Sequence, residues 1–307
     1  MRKHSALVVT VFIFASLICI ESAFAGAWTV PKDHVWAEYY MKWNYSKDSY
    51  NQTGSTTPSG SSEEYSKKFR SWEFVQEPKI EFGITDYLNL LYSMEFKEAH
   101  YKEYERPESW GAFTHKNGGL TNVKIGGKWR FLEKPLVQSL QGKFFIYPGY
   151  GNYVSEANGG EDGYPYQPGI GKGDDAFELR WLIGQSFKFP IRENFQLPVY
   201  WGAETGYRWR NKTVCNDIPY FFECGFWPSA YFLVKTEIDG YTFHGGTGSI
   251  KESYGIWRIG GVWQVFGDSV LREGNKMFNI EFQYGMTVWG TNTNNAQEWV
   301  LKVQTQF

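Results

Sequence analysis

Along most of the chain, apolar and polar residues alternate with a period of two, and turn signals interrupt the alternation at intervals. The last stretch is the clearest. From Glu298 it reads E-W-V-L-K-V-Q-T-Q-F. One face carries Trp299, Leu301, Val303, Thr305 and Phe307, and the other carries Glu298, Val300, Lys302, Gln304 and Gln306. Just before it, Phe278, Ile280, Phe282, Tyr284, Met286 and Val288 oppose Asn279, Glu281, Gln283, Gly285 and Thr287. Val199, Trp201, Ala203, Thr205, Tyr207 and Trp209 oppose Gly202, Glu204, Gly206, Arg208 and Arg210. Val123, Ile125, Gly127 and Trp129 oppose Lys124, Gly126, Lys128 and Arg130. No helical period longer than a turn or two accompanies the pattern.

Twelve strands are predicted, centred near Tyr39, Phe74, Tyr92, Ile125, Phe145, Trp181, Ala203, Phe222, Val234, Ile259, Phe282 and Val303. Runs of about ten residues are long enough for a tilted strand to cross a bilayer. Aromatics gather near strand ends, as at Trp201, Trp209, Trp289 and Trp299, where interfacial girdles sit. The connections sort by parity. Mostly long polar segments follow the odd strands: residues 46–66, 103–117, 152–175, 211–219, 240–253 and 291–295. Mostly short ones follow the even strands: residues 85–86, 132–135, 190–194, 227–229 and 267–275. A barrel with both termini on one side of the membrane predicts this segregation, and a soluble sandwich does not. Two strands strain the pattern. The second shifts face between Phe69 and Trp72, which suggests a bulge, and the fifth puts Phe145 and Tyr147 on its polar face.

Composition agrees. Aromatics make up 19% of the chain, yet mean hydropathy is −0.46, which excludes a helical membrane protein and argues against disorder. A net charge of −2 and a pI near 6.3 give no sign of nucleic-acid binding. The fold class is therefore all-β, a transmembrane antiparallel up-and-down β-barrel of about 12 strands.

The N-terminus carries a processing signal. Arg2 and Lys3 precede an apolar run from Ala6 to Ile20, and Ala23-Phe24-Ala25 supplies a small-x-small cleavage pattern. The expectation is a signal peptide over residues 1–25 and a barrel over residues 26–307. Cys19 has no small residue before it, so it makes a poor lipoprotein site. Cleavage removes Arg2, Lys3 and Glu21 and moves the formal charge from −2 to −3. Cys215 and Cys224 remain, and an oxidising compartment favours a local disulfide between them.

Near the second turn the chain becomes recognisable. Glu81-Phe82-Gly83-Ile84-Thr85-Asp86-Tyr87-Leu88 resembles the E-[YF]-G-[LI]-T-D-x-L turn of a family of outer-membrane proteins labelled "MetA pathway of phenol degradation". Pro168-Gly169-Ile170-Gly171-Lys172-Gly173-Asp174 resembles that family's long third loop, and Phe307 resembles the terminal signature of barrels handed to the assembly machinery. The resemblance implies an outer-membrane barrel of transport-like role. It carries no functional residue over, since the motif is a turn.

Candidate chemistry lies on the polar face. Glu38, Lys42, Glu73, Glu77, Lys79, Glu81, Glu95, Lys97, Lys124, Lys128, Arg130, Glu178, Arg180, Glu204, Arg208, Arg210, Glu223, Arg258, Glu281 and Lys302 must face a lumen. On the lipid face such groups cost about 2–4 kcal/mol near mid-bilayer. They line either a wet pore that selects a solute or a narrow barrel sealed by mutual ion pairs. Mixed signs predict weak ion selectivity. His34, His100, His115 and His244 read as strand-end or loop residues, so no catalytic constellation emerges and no enzyme is expected. Glu161-Asp162 and Asp174-Asp175 lack calcium-loop spacing, and residues 169–173 lack the features of a phosphate loop. No metal or cofactor is expected. The partners expected are the lipid bilayer, the barrel-assembly machinery and a small solute, in the outer membrane of a diderm bacterium. The function expected is passive passage of small solutes, aromatic or otherwise apolar ones among them. The alternative is a closed barrel acting through its extracellular loops.

Overall fold

The computed structural model describes residues 26–50, 56–58, 70–104, 112–148, 174–192, 195–211, 214–246, 248, 251–267 and 276–307. The expected signal peptide, Phe69, Glu161-Asp162 and residues 168–173 lie outside them.

The chain forms β1 (Val35–Tyr50), β2 (Thr56–Pro58), β3 (Arg70–Thr85), β4 (Leu88–Tyr104), β5 (Ala112–Leu132), β6 (Val137–Ile146), β7 (Ala176–Arg192), β8 (Phe195–Arg210), β9 (Asp217–Ser229), β10 (Phe232–Phe243), β11 (Ser253–Gly267), β12 (Met277–Thr291) and β13 (Thr293–Gln306). β2 is a three-residue piece paired only with the end of β1. The other 12 pair antiparallel with their sequence neighbours, and β13 pairs with β1 from Trp36↔Gln306 to Tyr50↔Thr293. The sheet closes on itself and leaves no edge, as a membrane-spanning sheet requires. Each predicted strand centre falls within one strand of the ring.

The parity of the connections is visible. Residues 86–87, 133–136 and 230–231 join strands tightly at one end, here called the turn end, where Arg192 of β7 also pairs with Phe195 of β8. Both ends of the barrel also meet there: the Val35 and Phe307 backbones exchange hydrogen bonds of 2.8 and 3.0 Å. One connection departs from expectation. Residues 291–295 form no loop, because β12 ends at Thr291 and β13 starts at Thr293. Asn292 alone turns the chain at φ 49°, a left-handed conformation that Asn tolerates. The Thr287 hydroxyl fastens this turn by accepting the Ala296 N–H at 3.1 Å.

The two faces separate as the alternation requires. Trp263, Phe144 and Phe282 point outward and are more than half exposed, whereas Glu281, Gln283 and Glu298 point inward and are buried. Rings meet along the outer wall near the loop end: Trp43 stacks on Phe74 at 5.0 Å, Phe144 tilts against Phe177 at 4.8 Å, and Phe177 stacks on Trp209 at 5.7 Å. Trp129 and Phe131 lie toward the turn end. No described helix is long and apolar enough to cross a membrane.

Both suspect strands are regular around the positions in question. β3 alternates without interruption from Arg70 to Glu77, with Trp72 and Phe74 outward and Ser71, Glu73 and Val75 inward. β6 pairs Phe145 with Lys124 and with Ala176, so Phe145 shares their inward face. Its aromatic side chain is a lumen group.

Candidate functional site: the barrel lumen

The inward side chains surround a cavity of about 990 Å³. It extends from residues 26–30 and the turn-end wall (Gln264, Met277, Asn279) to Tyr241, Glu252 and residues 292–296 near the loops. Of the predicted lumen residues, Glu38, Lys42, Glu73, Glu77, Lys79, Glu81, Glu95, Lys97, Lys124, Lys128, Glu178, Arg180, Glu204, Arg208, Arg210, Glu223, Arg258, Glu281 and Lys302 line it. Arg130 does not. Its guanidinium stays at the turn end, where it donates to the Asp86 carbonyl at 2.8 Å and pairs with Glu133 at 2.9 Å. β5 ends at Leu132, so this group reaches the rim rather than the interior.

The charges are paired across strands. Lys124 bridges Glu77 (2.7 Å) and Glu95 (2.9 Å), and Lys79 bridges Glu38 (2.9 Å) and Glu77 (3.7 Å). Gln304 links Glu38 to Glu281 at 2.8 and 3.4 Å, and Glu281 takes Lys302 (2.9 Å) and Lys235 (3.0 Å). Lys235 also holds Glu223 and Glu237, each at 3.2 Å. Arg258 joins Glu237 at 2.9 Å to Glu298, and Lys42 reaches Glu298 at 3.8 Å. A second chain runs along β7 to β9: Arg180 contacts Glu178 (2.6 Å) and Glu204 (3.1 Å), Arg208 contacts Glu178 (2.5 Å), and Arg210 contacts Asp217 (2.8 Å). Buried charges need such partners, because a lone one carries a large desolvation cost.

The N-terminal segment is also inside. Residues 27–30 are buried within the turn half of the lumen. Trp28 and Ala27 pack with Val137, Leu182, Tyr200 and Trp227, with Leu233 against them. The predicted family motif forms the seat. A Cβ on Gly83 would stand 2.0 Å from the Pro31 carbonyl oxygen and 2.8 Å from that of Val30, so only glycine lets the segment pass. Asp86 accepts the Lys32 N–H at 3.0 Å on its side chain and the Thr29 hydroxyl at 2.5 Å on its carbonyl. Glu81 pairs with Lys128 at 2.6 Å, and Lys128 reaches the Gly26 carbonyl at 3.4 Å.

The expected disulfide is absent. Cys215 and Cys224 are both free. Cys224 lies seven residues into β9 from Asp217. At ~3.3 Å per residue the extended strand separates the thiols by about 20 Å or more, beyond the ~7 Å Cα separation a bridge allows. Instead, the Cys215 thiol donates to the Gly248 carbonyl at 2.9 Å, and Cys224 faces outward beside Trp201 and Thr236. The carboxylates of Asp174 and Asp175 accept the N–H groups of Val214 (2.7 Å) and Tyr147 (2.8 Å). His34 contacts the Lys32 carbonyl, His100 stacks on Trp72, and His244 stands edge-on to Tyr207. The His115 backbone lies in β5. Phe307 is exposed at the end of β13.

Sequence reasoning missed six lumen charges: Asp174 and Glu252 near the loops, and Lys143, Lys235, Glu237 and Asp239 within strands. The last three alternate along β10 as K-T-E-I-D, so their signal was present. Lys143 was hidden because Phe145 on the same face made the register of β6 look wrong.

A closed, lipid-compatible barrel with a polar interior defines the class: a transmembrane antiparallel β-barrel. No family model matches the chain, and no curated protein matches it. Among solved structures it resembles the COG4313 outer membrane channel from Pseudomonas putida F1, with a TM-score of 0.59 at 11% identity, over 94% of this chain and 100% of that one. The transport unit of the autotransporter AIDA-I from Escherichia coli aligns at 0.45 and 12% identity, over 96% and 95%. The translocator domain of the autotransporter NalP from Neisseria meningitidis aligns at 0.40 and 7%, over 99% and 95%. The first likeness shows the fold, and it is the fold that the MetA-pathway resemblance implied.

Proposed function

We propose that the chain is an outer-membrane channel of a diderm bacterium that passes small solutes by diffusion, without catalysis. The observation that carries this reading is the cavity of about 990 Å³ lined by hydrogen-bonding and charged groups. Such a lining solvates a passing solute in place of water. The near balance of paired cations and anions supports weak ion selectivity. Residues 26–31 narrow the turn end, so they set the conductance of the resting barrel. The bilayer covers the aromatic outer wall, and Phe307 offers the assembly machinery its recognition end.

The test is single-channel recording from refolded residues 26–307 in planar bilayers. Discrete open steps support the channel. Silence at all voltages, in protein whose heat-modifiable migration proves the barrel folded, overturns it. That outcome selects the closed barrel acting through its loops, a reading that the cross-strand ion pairs also fit.

A further inference from the structure

Twelve Lys and Arg residues line the lumen, and eleven of them are held in ion pairs among the described residues. Lys143 is the exception: it has neither an ion pair nor a hydrogen bond among the described residues. The reason lies in the neighbouring strands. Lys143 stands in register with Gly126 on β5 and Glu178 on β7. Gly126 offers no side chain. The Glu178 carboxylate is already occupied by the Arg180 and Arg208 guanidiniums, at 2.6 and 2.5 Å. The ion-pair belt is therefore interrupted at β6.

The interruption has an aromatic wall. Phe145, two residues on from Lys143 along the same face, points into the lumen. The Lys124 ammonium stands 5.7 Å from its ring centroid, and the Arg208 guanidinium stands 5.0 Å from it. Arg208 lies in turn 5.8 Å from the ring of Tyr241. A lysine without an ion pair among the described residues thus shares one inward face of β6 with an aromatic ring that Lys124 and Arg208 flank. A neutral solute leaves Lys143 unsatisfied, and a small inorganic anion leaves the Phe145 ring unused. A flat ring bearing one carboxylate engages both.

We propose that Lys143 and Phe145 form a subsite for small aromatic carboxylates on the path through the lumen. The carboxylate accepts from the Lys143 ammonium, and the ring lies against Phe145. This deepens the channel reading by naming a solute class, and it rests on that reading for transport but not for binding.

Benzoate is the probe, with acetate and phenol as the two half-ligands. Two measurements are made on refolded residues 26–307: transient block of single-channel current, and equilibrium binding by ligand-observed NMR in micelles. Benzoate is expected to bind and to block at concentrations where acetate and phenol do neither. Lys143→Gln is expected to weaken benzoate about tenfold or more, the scale of one charge-assisted hydrogen bond. Phe145→Leu is expected to narrow the gap between benzoate and acetate while acetate itself stays unchanged. Each block is referred to the variant's own open level, and heat-modifiable migration confirms that each variant is folded. Equal behaviour of benzoate and acetate overturns the proposal, as does benzoate binding that Lys143→Gln leaves intact. Benzoate binding in a silent barrel would sink the channel and spare the subsite. Conduction without benzoate binding would do the reverse.

Discussion

On the β5–β9 side of the lumen's turn half, Val137, Leu182, Tyr200 and Trp227 close around Trp28. Across β9 to β12 at a similar depth, Lys235 gathers Glu223, Glu237 and Glu281. Both sectors come from the same inward alternation, and their energetics differ. An apolar side chain that leaves its seat forfeits about 1.5–3 kcal/mol and rehydrates without further cost. A carboxylate that loses its buried cation is left uncompensated, at about 3–5 kcal/mol. The dry sector holds residues 27–30 largely by apolar contact. The charged sector is a fixed wall.

Breaking the charged sector should give the largest effect. Lys235→Met keeps most of the side chain's bulk and removes its charge. Glu281 retains Lys302 and Glu237 retains Arg258, but Glu223 loses its ion pair. The expected loss is about 3 kcal/mol or more, read from the urea midpoint of heat-modifiable migration. Adding Glu223→Gln should restore part of it, because the stranded charge goes with it. A midpoint within ~0.5 kcal/mol of wild type would mean that water, rather than Lys235, solvates these carboxylates.

Emptying the dry sector should change conductance more than stability. Deleting residues 26–31 removes Trp28 and leaves every strand intact. Single-channel conductance is expected to rise several-fold, while the urea midpoint falls by no more than ~3 kcal/mol, because the burial lost with Ala27, Trp28 and Val30 is offset by the ordering entropy that the shortened chain no longer loses. Unchanged conductance would show that the segment does not restrict the path, and the two sectors would then differ in chemistry alone.

The contrast also marks what could be read from the chain beforehand. Strands of 10–21 residues with a period of two declare themselves, because a one-residue slip would put charges into lipid. The ring and its inward charges were legible for that reason. Ala27-Trp28-Thr29-Val30 is too short to show a period, and its burial depends on Leu182 and Trp227 from distant strands. Glu81, Gly83 and Asp86 were legible as a turn; their service to the N-terminal segment needs the closed barrel. Phe145 shows the converse. An aromatic on a polar face looks like a register error until neighbouring strands place it among Lys124 and Arg208. The cysteine pairing failed because an even count carries no geometry, and β9 draws the two residues apart.

The smallest and sharpest change is Gly184→Ala, a single methyl at the border of the dry sector. A Cβ there would stand 2.5 and 2.8 Å from two ring carbons of Trp28, and 3.2 Å from the Trp201 carbonyl oxygen. The ring belongs to a terminal segment and is the part free to give way. Conductance should therefore rise to a level between wild type and the 26–31 deletion, with a midpoint shift within ~1 kcal/mol. The same substitution made in the deletion should change neither quantity, since the partner it displaces is gone. If Gly184→Ala lowers the midpoint equally in both backgrounds, the crowding is against the Trp201 backbone. Gly184 would then serve the β7–β8 pairing, and the seat of Trp28 would rest on Leu182, Tyr200 and Trp227 alone.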